Sequence, residues 1–427
     1  TGRPKGVMLT HYNIIACSKA FFGSFPPAMA SLLQGILMII LPPPMPHRFA
    51  SIILDAALPM GATFLTQPDP RDTKEFFRMA KKYHPLIGAI TPTQYMMLSE
   101  FEEAKDLGIL SISASMILAP GVQDKFEKRA GSSIIDAYGY TENSGEGGLV
   151  PILPDIIAPF VGSRETASKL GHLLVRILEM PGVVPLLNFV LRTIGRRNIG
   201  VIGNRLISFL TSTIQLSVLD ERGGRVGPEG KFIGSMAMID NKVKLVDETG
   251  KRVPIERAIK EKLRLELCDK GPQTMVGYWP EPGDGLDEEG YVHSGDVVII
   301  DEKGRGYIVD RTKDMANVSG YKVYTAEVDD LLYKHPGVME AATIGIPDPE
   351  RPGSERVKVF IAPTPEYRGK LTEKDIIDYL KGDVQPYAVP KFVEFRDELP
   401  RTESEKLFKR HLREEEIEKM KKAGILK

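Results

Sequence analysis

The chain has 427 residues, 42% of them hydrophobic and 26% charged, enough to bury the cores of two or three domains and too apolar to be disordered over most of its length. Its 56 Lys and Arg against 57 Asp and Glu leave a formal charge of -1, without the basic excess of a general nucleic-acid binder. The two cysteines, Cys17 and Cys268, form no metal-ligand or redox spacing and suit a reducing, cytoplasmic compartment. The sequence opens on Thr1-Gly2-Arg3-Pro4-Lys5-Gly6, with no initiator Met and no signal-peptide pattern, so a segment is expected upstream of Thr1.

Ala20 to His47 contains no charged residue, but Pro26-Pro27 interrupts it and Pro42-Pro43-Pro44 ends it. Leu32 to Leu41 (LLQGILMIIL) therefore reads as a core strand or short helix rather than a bilayer span. Further short buried strands are expected at Ala62 to Leu65, Leu86 to Ile90, Ser115 to Leu118 and Ser133 to Ala137, with helices at Lys74 to Tyr83 and Gln94 to Phe101. That alternation predicts an α/β layer structure with parallel pairing. Residues 155–228 change character. Leu170, Leu173, Leu174, Ile177 and Leu178 share one helical face, and Leu187, Val190, Leu191 and Ile194 another, punctuated by Pro181-Gly182 and Gly195. Leu206 to Leu219 is a further apolar run. From Lys231 the pattern becomes short strands joined by acidic turns at 247–250, 287–290 and 301–304, and after Arg311 comes a compact α+β unit ending in a charged helix, Lys406 to Lys422.

Four constellations could carry chemistry. The opening T-G-R-P-K-G combines glycines that let backbone approach an anion with a mobile lysine, although a plain turn reads equally well. Tyr138-Gly139-Tyr140-Thr141-Glu142 follows a strand, where an α/β sheet offers a crevice to a planar ring; Thr141 supplies a hydroxyl and Glu142 a hard oxygen for Mg2+. His293-Ser294-Gly295-Asp296 with Tyr307 to Asp314 sets an Asp for a ribose near an Arg, or an Asp–Arg pair pinning two hairpins. Leu399 to Lys406 (LPRTESEK) brings a lysine that could neutralise a transferring phosphoryl group, or one that is simply solvated.

The succession of a Thr/Gly/Lys loop, G-Y-T-E, S-G-D, D-R-T-K-D, V-S-G-Y-K-V-Y and P-R-T-E-S-E-K resembles the adenylate-forming superfamily, the AMP-dependent synthetases and ligases, and within it the long-chain fatty acid–CoA ligases. The likeness to those ligases also rests on G-P-Q-T-M-V-G-Y-W, H-P-G-V-M-E-A-A and V-E-F-R-D-E-L-P-R-T, and spans about residues 1–150 and 231–415. It implies a large multilayer α/β domain, 1–311, joined by a hinge to a small α+β domain, 312–427. It also implies activation of a fatty acid with ATP and Mg2+ to acyl-AMP, followed by transfer to coenzyme A. By the same resemblance Thr1, Gly2, Lys5 and Gly6 end a phosphate loop, and Tyr138 and Gly139 flank adenine opposite Ala119, Pro120 and Gly121. Thr141 touches the α-phosphate, Glu142 holds Mg2+, Asp296 and Arg311 hold the ribose, and Lys406 is the catalytic cation. Lys313 is the hinge, Ser319, Gly320 and Tyr321 serve the thiol, and His47 lies near the acyl pocket or is a packed histidine bonded to backbone.

The pattern departs from the family in four places. The Ser/Thr/Gly-rich segment expected before T-G-R-P-K-G is absent, Glu405 stands where relatives carry Gly before the lysine, and a G-E-x-G-E-L element is blurred into Arg257 to Leu267, which reads as helix. The fourth is residues 155–228, an apparent insertion with nine Arg/Lys and five Asp/Glu. It is expected either to bury its apolar faces within a helical subdomain or over the acyl pocket, or to contact a membrane peripherally. Two other functions compete: loading of a separate carrier protein, and a partial or inactive chain that retains acyl and nucleotide binding. No fixed protein partner is inferred.

Overall fold

The computed structural model describes residues 5–23, 27–115, 118, 120–132, 134–145, 169, 173, 176–213, 226–227, 230–235, 241–302, 305–402 and 407–426. After a short strand β1 (Val7–Met8) come helices α1 (His11–Gly23) and α2 (Pro27–Leu33). Then strand and helix alternate: β2 (Met38–Leu41), α3 (Arg48–Ala57), β3 (Thr63–Thr66), α4 (Thr73–Tyr83), β4 (Ile87–Ile90), α5 (Pro92–Leu98), β5 (Leu110–Ser113), α6 (Pro120–Ala130) and β6 (Ile134–Asp136). The five strands β2 to β6 form an all-parallel sheet in the order β3-β2-β4-β5-β6. Alternate residues of β2 face opposite ways. Ile40 joins Phe76, Tyr95, Leu98 and Phe126 of α4, α5 and α6, while Ile39 and Leu41 join Cys17, Phe49 and Ile53 of α1 and α3. Helices on both faces are what a parallel sheet needs to keep its strands dry.

Local signals place these helices. Asp72 caps α4 by accepting from the Glu75 amide at 2.9 Å, Lys81 and Lys82 oppose the dipole in its last turn, and His84 ends it in a left-handed conformation. Thr91 and Gln94 form a capping box at α5, with Pro92 at its first position. A strand lies at Leu110–Ser113, ahead of the one expected at 115–118, of which residues 116 and 117 lie outside the described residues.

Two helices of the apparent insertion are described, α7 (Val183–Ile194) and α8 (Arg196–Thr213), broken at Gly195. Both dock against the parallel sheet and the segment before β2. Helix α8 runs along the amino edge of the parallel sheet. Arg196 donates to the Gly35 carbonyl at 2.6 Å and Arg197 to that of Lys82 at 3.0 Å; Gly200 and Gly203 lie against His84 and Leu86 before β4, Asn204 against Gly108 before β5, and Ser208 against Gly131 before β6. Asn188 and Arg192 of α7 bond the carbonyls of Leu32 and Gln34, so the polar positions point inward and Leu186 and Phe189 stay 63% and 69% exposed.

Beyond it, β7 (Val226–Gly227), β8 (Gly230–Ser235), β9 (Lys242–Val246), β10 (Arg252–Val253), β11 (Leu265–Lys270), β13 (Val292–Ile300) and β14 (Arg305–Arg311) form an antiparallel sheet ordered β10-β9-β11-β13-β14-β8-β7. The acidic turn at 247–250 joins the neighbouring strands β9 and β10; of the turn expected at 301–304, residues 303 and 304 lie outside the described residues. A short strand β12 (Gly277–Tyr278) returns to pair with β1. The stretch Arg257 to Leu267, read as one helix, divides into α9 (Ile255–Lys260) and the start of β11.

After Arg311 the hairpin β15 (Ala316–Val318) and β16 (Tyr321–Val323), helix α10 (Thr325–Leu332), the three-stranded sheet β17 (Val338–Pro347), β18 (Glu355–Pro363), β19 (Phe392–Phe395) and helix α11 (Glu373–Leu380) share a separate core. The closing helix α12 begins at Lys409 rather than Lys406 and ends at Lys422. At its start Lys409 is half-buried, 2.7 Å from the Asp329 carboxylate and donating to the Thr325 hydroxyl at 2.9 Å. Burial pushes Asp310, the neighbour of Arg311, up to about 6 against the pull of the Lys409 charge.

Gly108 has φ +58°, and a Cβ there would stand 1.9 Å from the Asn204 carbonyl oxygen. Gly108→Ala is expected to cost at least about 1–3 kcal/mol and to loosen α8 from the sheet, read as a lower denaturation midpoint with faster amide exchange in 196–213. An unchanged midpoint would mean that α8 does not dock on the sheet edge.

Candidate active site

In a parallel sheet, ligands gather at the carboxyl edge where the strand order reverses. Here the chain leaves β2 for β3 on one side and returns to β4 on the other, so that point lies between the loops after β2 and β4. His47 is in the first loop. Its Nδ1 caps α3 by accepting from the Phe49 amide at 3.2 Å, and its Nε2 lies 3.5 Å from the Ser115 hydroxyl beyond β5. The histidine is thus bonded to backbone and also at the crevice. Thr91 occupies the second loop and Thr93 the first turn of α5 that follows it; the sequence singles out neither, although the T-P-T-Q capping signal marks the end of β4.

The loop after β6 crosses to the antiparallel sheet. The Tyr138 hydroxyl donates to Asp296 Oδ2 at 2.7 Å, and Arg311 Nε donates to Asp296 Oδ1 at 2.9 Å. Strand register puts this together, because Asp296 on β13 directly faces Arg311 on β14. Burial raises the Asp296 carboxyl above its ordinary range, opposed by Arg311 and the tyrosine. Tyr138 is itself pushed well above the usual phenol range by burial and by Asp296, so it is a donor. Beside it Tyr140 donates to Asp269 at 2.6 Å. Gly139 lies between these two tyrosines, with half-buried backbone.

Thr141 is exposed and opens a turn of 3-10 helix, Thr141–Asn143, with Glu142 behind it. The Glu142 Oε1 accepts from the Tyr278 hydroxyl at 2.7 Å, and its carbonyl accepts from the Met275 amide at 2.8 Å. Lys5 sits over the Tyr278 ring at 4.2 Å, and the Gly6 carbonyl accepts from the Trp279 amide at 2.7 Å. The β1–β12 pairing therefore brings the end of the glycine loop to Glu142. Tyr278, which links the two, was quoted only as part of a motif. Among the described residues the Glu142 carboxylate has a neutral side-chain partner and no Lys or Arg, so a hard cation fits there.

Several expected site residues lie outside the described residues: Thr1, Gly2, Ala119, Glu405 and Lys406. Pro120 and Gly121 open α6. Arg401 and Leu407 on either side of 403–406 form an antiparallel bridge, and Arg401 reaches the carboxyl edge of the parallel sheet, donating to the Thr93 hydroxyl at 3.0 Å while it also pairs with Glu340. Lys313 is exposed in the turn between β14 and β15. Ser319 and Gly320, at φ 52° and 89°, form the two-residue turn of the β15–β16 hairpin. Tyr321 there stacks on Tyr387 at 4.8 Å and stays 60% exposed.

A crevice at the switch point of a parallel sheet, floored by an antiparallel sheet and faced by a C-terminal α+β unit, is the adenylate-forming fold. ATP-bound MatB from Rhodopseudomonas palustris superposes on it with a TM-score of 0.70 at 21% identity, over 98% of this chain and 66% of that one. Residues 1–171 match the AMP-binding enzyme family and residues 327–406 the AMP-binding enzyme C-terminal domain. The long-chain-fatty-acid--CoA ligase of Escherichia coli O6:H1 is 28% identical over 422 residues, covering 97% of this chain and 60% of its own length. That of Bacillus subtilis is 28% identical over 427 residues, covering 98% and 60%. The chain belongs to the AMP-binding enzyme family and spans about 60% of the length of these curated relatives.

Burial pushes Asp269 up to about 6 from 3.8, against hydrogen bonds from Tyr140 and Asn241. A carboxyl with a raised folded-state value favours the folded state while protonated, so its contribution is lost as pH rises from about 4 to about 6. Asp269→Asn removes that dependence. Wild-type stability should therefore fall against the variant by about 1.4 kcal/mol per pH unit across this window, measured by denaturant unfolding. Parallel stability curves would reject the buried, proton-binding Asp269.

Proposed function

We propose that the protein carrying this chain is an AMP-forming acyl-CoA synthetase acting on long-chain fatty acids. The observation that carries the reading is Asp296, buried and held between Tyr138 and Arg311, beside a crevice whose other wall brings Glu142 to Lys5. Each carboxylate oxygen of Asp296 keeps a lone pair for a ribose hydroxyl, and Arg311 is placed for ribose or phosphate oxygens. Tyr138 and Gly139 offer one wall to adenine, opposite Ala119, Pro120 and Gly121. Thr141 and Lys5 face the phosphates. Mg2+, bound through Glu142, would neutralise charge on the phosphates.

In the first step a fatty-acid carboxylate oxygen attacks the α-phosphorus and pyrophosphate leaves. Two anions meet there, so a cation between them lowers the barrier most, and Lys406 is assigned that role. The Arg401 bond to Thr93 supports it, since it seats one end of the lysine's loop at the switch point. In the second step the coenzyme A sulfur attacks the acyl carbonyl and AMP leaves. Rotation about Lys313 would bring Ser319, Gly320 and Tyr321 to that thiol. His47 lies toward the acyl group. The division into domains 1–311 and 312–427 belongs to the same reading.

The full-length protein should catalyse fatty-acid-dependent exchange of pyrophosphate into ATP. Lys406→Ala and Arg401→Met should each lower that exchange at least tenfold while sparing thioester formation from supplied acyl-AMP. Equal losses in both half-reactions would reject the assigned roles, and no exchange with acids from acetate to stearate would reject the function.

Among the described residues no helix is long and apolar enough to cross a membrane. Helix α7 instead presents Leu186, Phe189 and Val190 to solvent, and Arg192 and Arg196 beside them bond backbone carbonyls rather than carboxylates. An exposed apolar helix face fits the interface of a bilayer, and the proposed contact is peripheral. Vesicles of phosphatidylserine and phosphatidylcholine should co-sediment the protein, and Leu186→Ser with Phe189→Ser should reduce this at least fivefold. Undiminished sedimentation would assign membrane contact elsewhere, and none with the wild type would remove it.

A further inference from the structure

Strand β11 carries two side chains that the site above does not use. Cys268 is fully buried, and on the adjacent strand β13 its direct partner is His293. Glu266, two residues before Cys268, points the same way: its Oε2 lies 3.1 Å from His293 Nδ1. One donor atom from each of Glu266, Cys268 and His293 falls within 4.8 Å of the others. Two ligand atoms about 2.0–2.1 Å from a tetrahedral ion stand about 3.3 Å apart, so the Glu266 and His293 atoms are already near ligand spacing. Asp287 Oδ2 lies 3.7 Å from the other ring nitrogen of His293. The one cation facing the cluster from the neighbouring strand β9, Lys244, is engaged by Asp287 and Glu289 and lies over the Tyr291 ring. Glu266 has no such basic partner among the described residues.

The geometry points to a binding site for a thiophilic divalent cation, Zn2+ or Co2+, on Glu266, Cys268 and His293. A thiolate, an imidazole and a single carboxylate suit these ions and not Mg2+ or Ca2+. On binding, the Cys268 thiol gives its proton to solvent and the sulfur forms the metal bond. The site is coupled to the proposed ribose carboxylate. Glu266 Oε1 accepts from the Gly295 amide at 3.1 Å, and Ser294 donates to the Leu267 carbonyl at 2.7 Å while accepting from the Asp296 amide at 3.0 Å. An ion drawing in Glu266 and His293 would therefore pull on both ends of the irregular stretch of β13, His293 to Gly295, that aims Asp296.

Titration of the full chain with Co2+ tests this without reference to activity. One equivalent should give intense visible bands of tetrahedral Co2+ and a near-ultraviolet sulfur-to-cobalt band. Cys268→Ala should abolish the sulfur band, and His293→Ala and Glu266→Gln should each weaken the ion's affinity at least tenfold. Cys17→Ala should leave all bands in place. Glu266→Gln keeps the fold testable where Cys268→Ala is unstable. Weak octahedral spectra, or tetrahedral bands unmoved by His293→Ala and Glu266→Gln, would overturn the site.

Discussion

One buried carboxylate holds this structure's working parts in relation to each other. Asp296 is removed from water, and a charge in that position is tolerated only when partners surround it. Its partners come from different places: Tyr138 from the loop after the parallel sheet, Arg311 from the facing strand of the antiparallel sheet. Removing one partner of such a group costs about 3–5 kcal/mol, so the two sheets cannot slide independently. The end of β6, the register of β13 on β14 and the start of the C-terminal unit are consequently fixed by the same pair of oxygens.

The second linkage, Glu142 to Tyr278 to Lys5, works differently. It uses a neutral hydroxyl and a ring face, and both ends stay partly open to solvent. Such an arrangement leaves the carboxylate capacity for a further ligand, whereas the Asp296 cluster is largely occupied. The two sides of the crevice thus differ, one rigid and one adaptable, which would suit the proposed gripping of a ring and shift of phosphates.

Much of this was legible in the residues because the signals are local. The parallel strands at Ile87–Ile90 and Thr63–Thr66, the capped helix Thr73–Tyr83 and the acidic hairpin turns follow from apolar runs and turn chemistry. Asp296 and Arg311 could be singled out from their motifs, but their mutual geometry depends on strand register. Tyr278, Thr93 and Asp269 were missed because each acts through a partner more than a hundred residues away in sequence, and no periodicity reports that. The insertion misled for a related reason. Leu187, Val190 and Ile194 do share a face, but Asn188 and Arg192 reach the backbone of the segment before β2 and turn that face outward.

Lys409 adds a consequence for motion. Its ammonium group is bound by Asp329 and Thr325, both of the unit beyond Arg311, while Asp310, which also feels its charge, ends the antiparallel sheet. A rotation at residues 312–315 would carry Lys409 away together with its own counter-ion and hydroxyl, and leave behind only the Asp310 contribution. Lys409 would therefore travel with its own pairing intact, while the Arg264–Glu327 and Lys322–Glu248 pairs that join the two parts would separate. What it abandons is a carboxyl that, already pushed up to about 6, can take a proton from water in place of the departed lysine. At Lys409 the ionic toll of such a reorientation would be small, because its pairing with Asp329 never has to break.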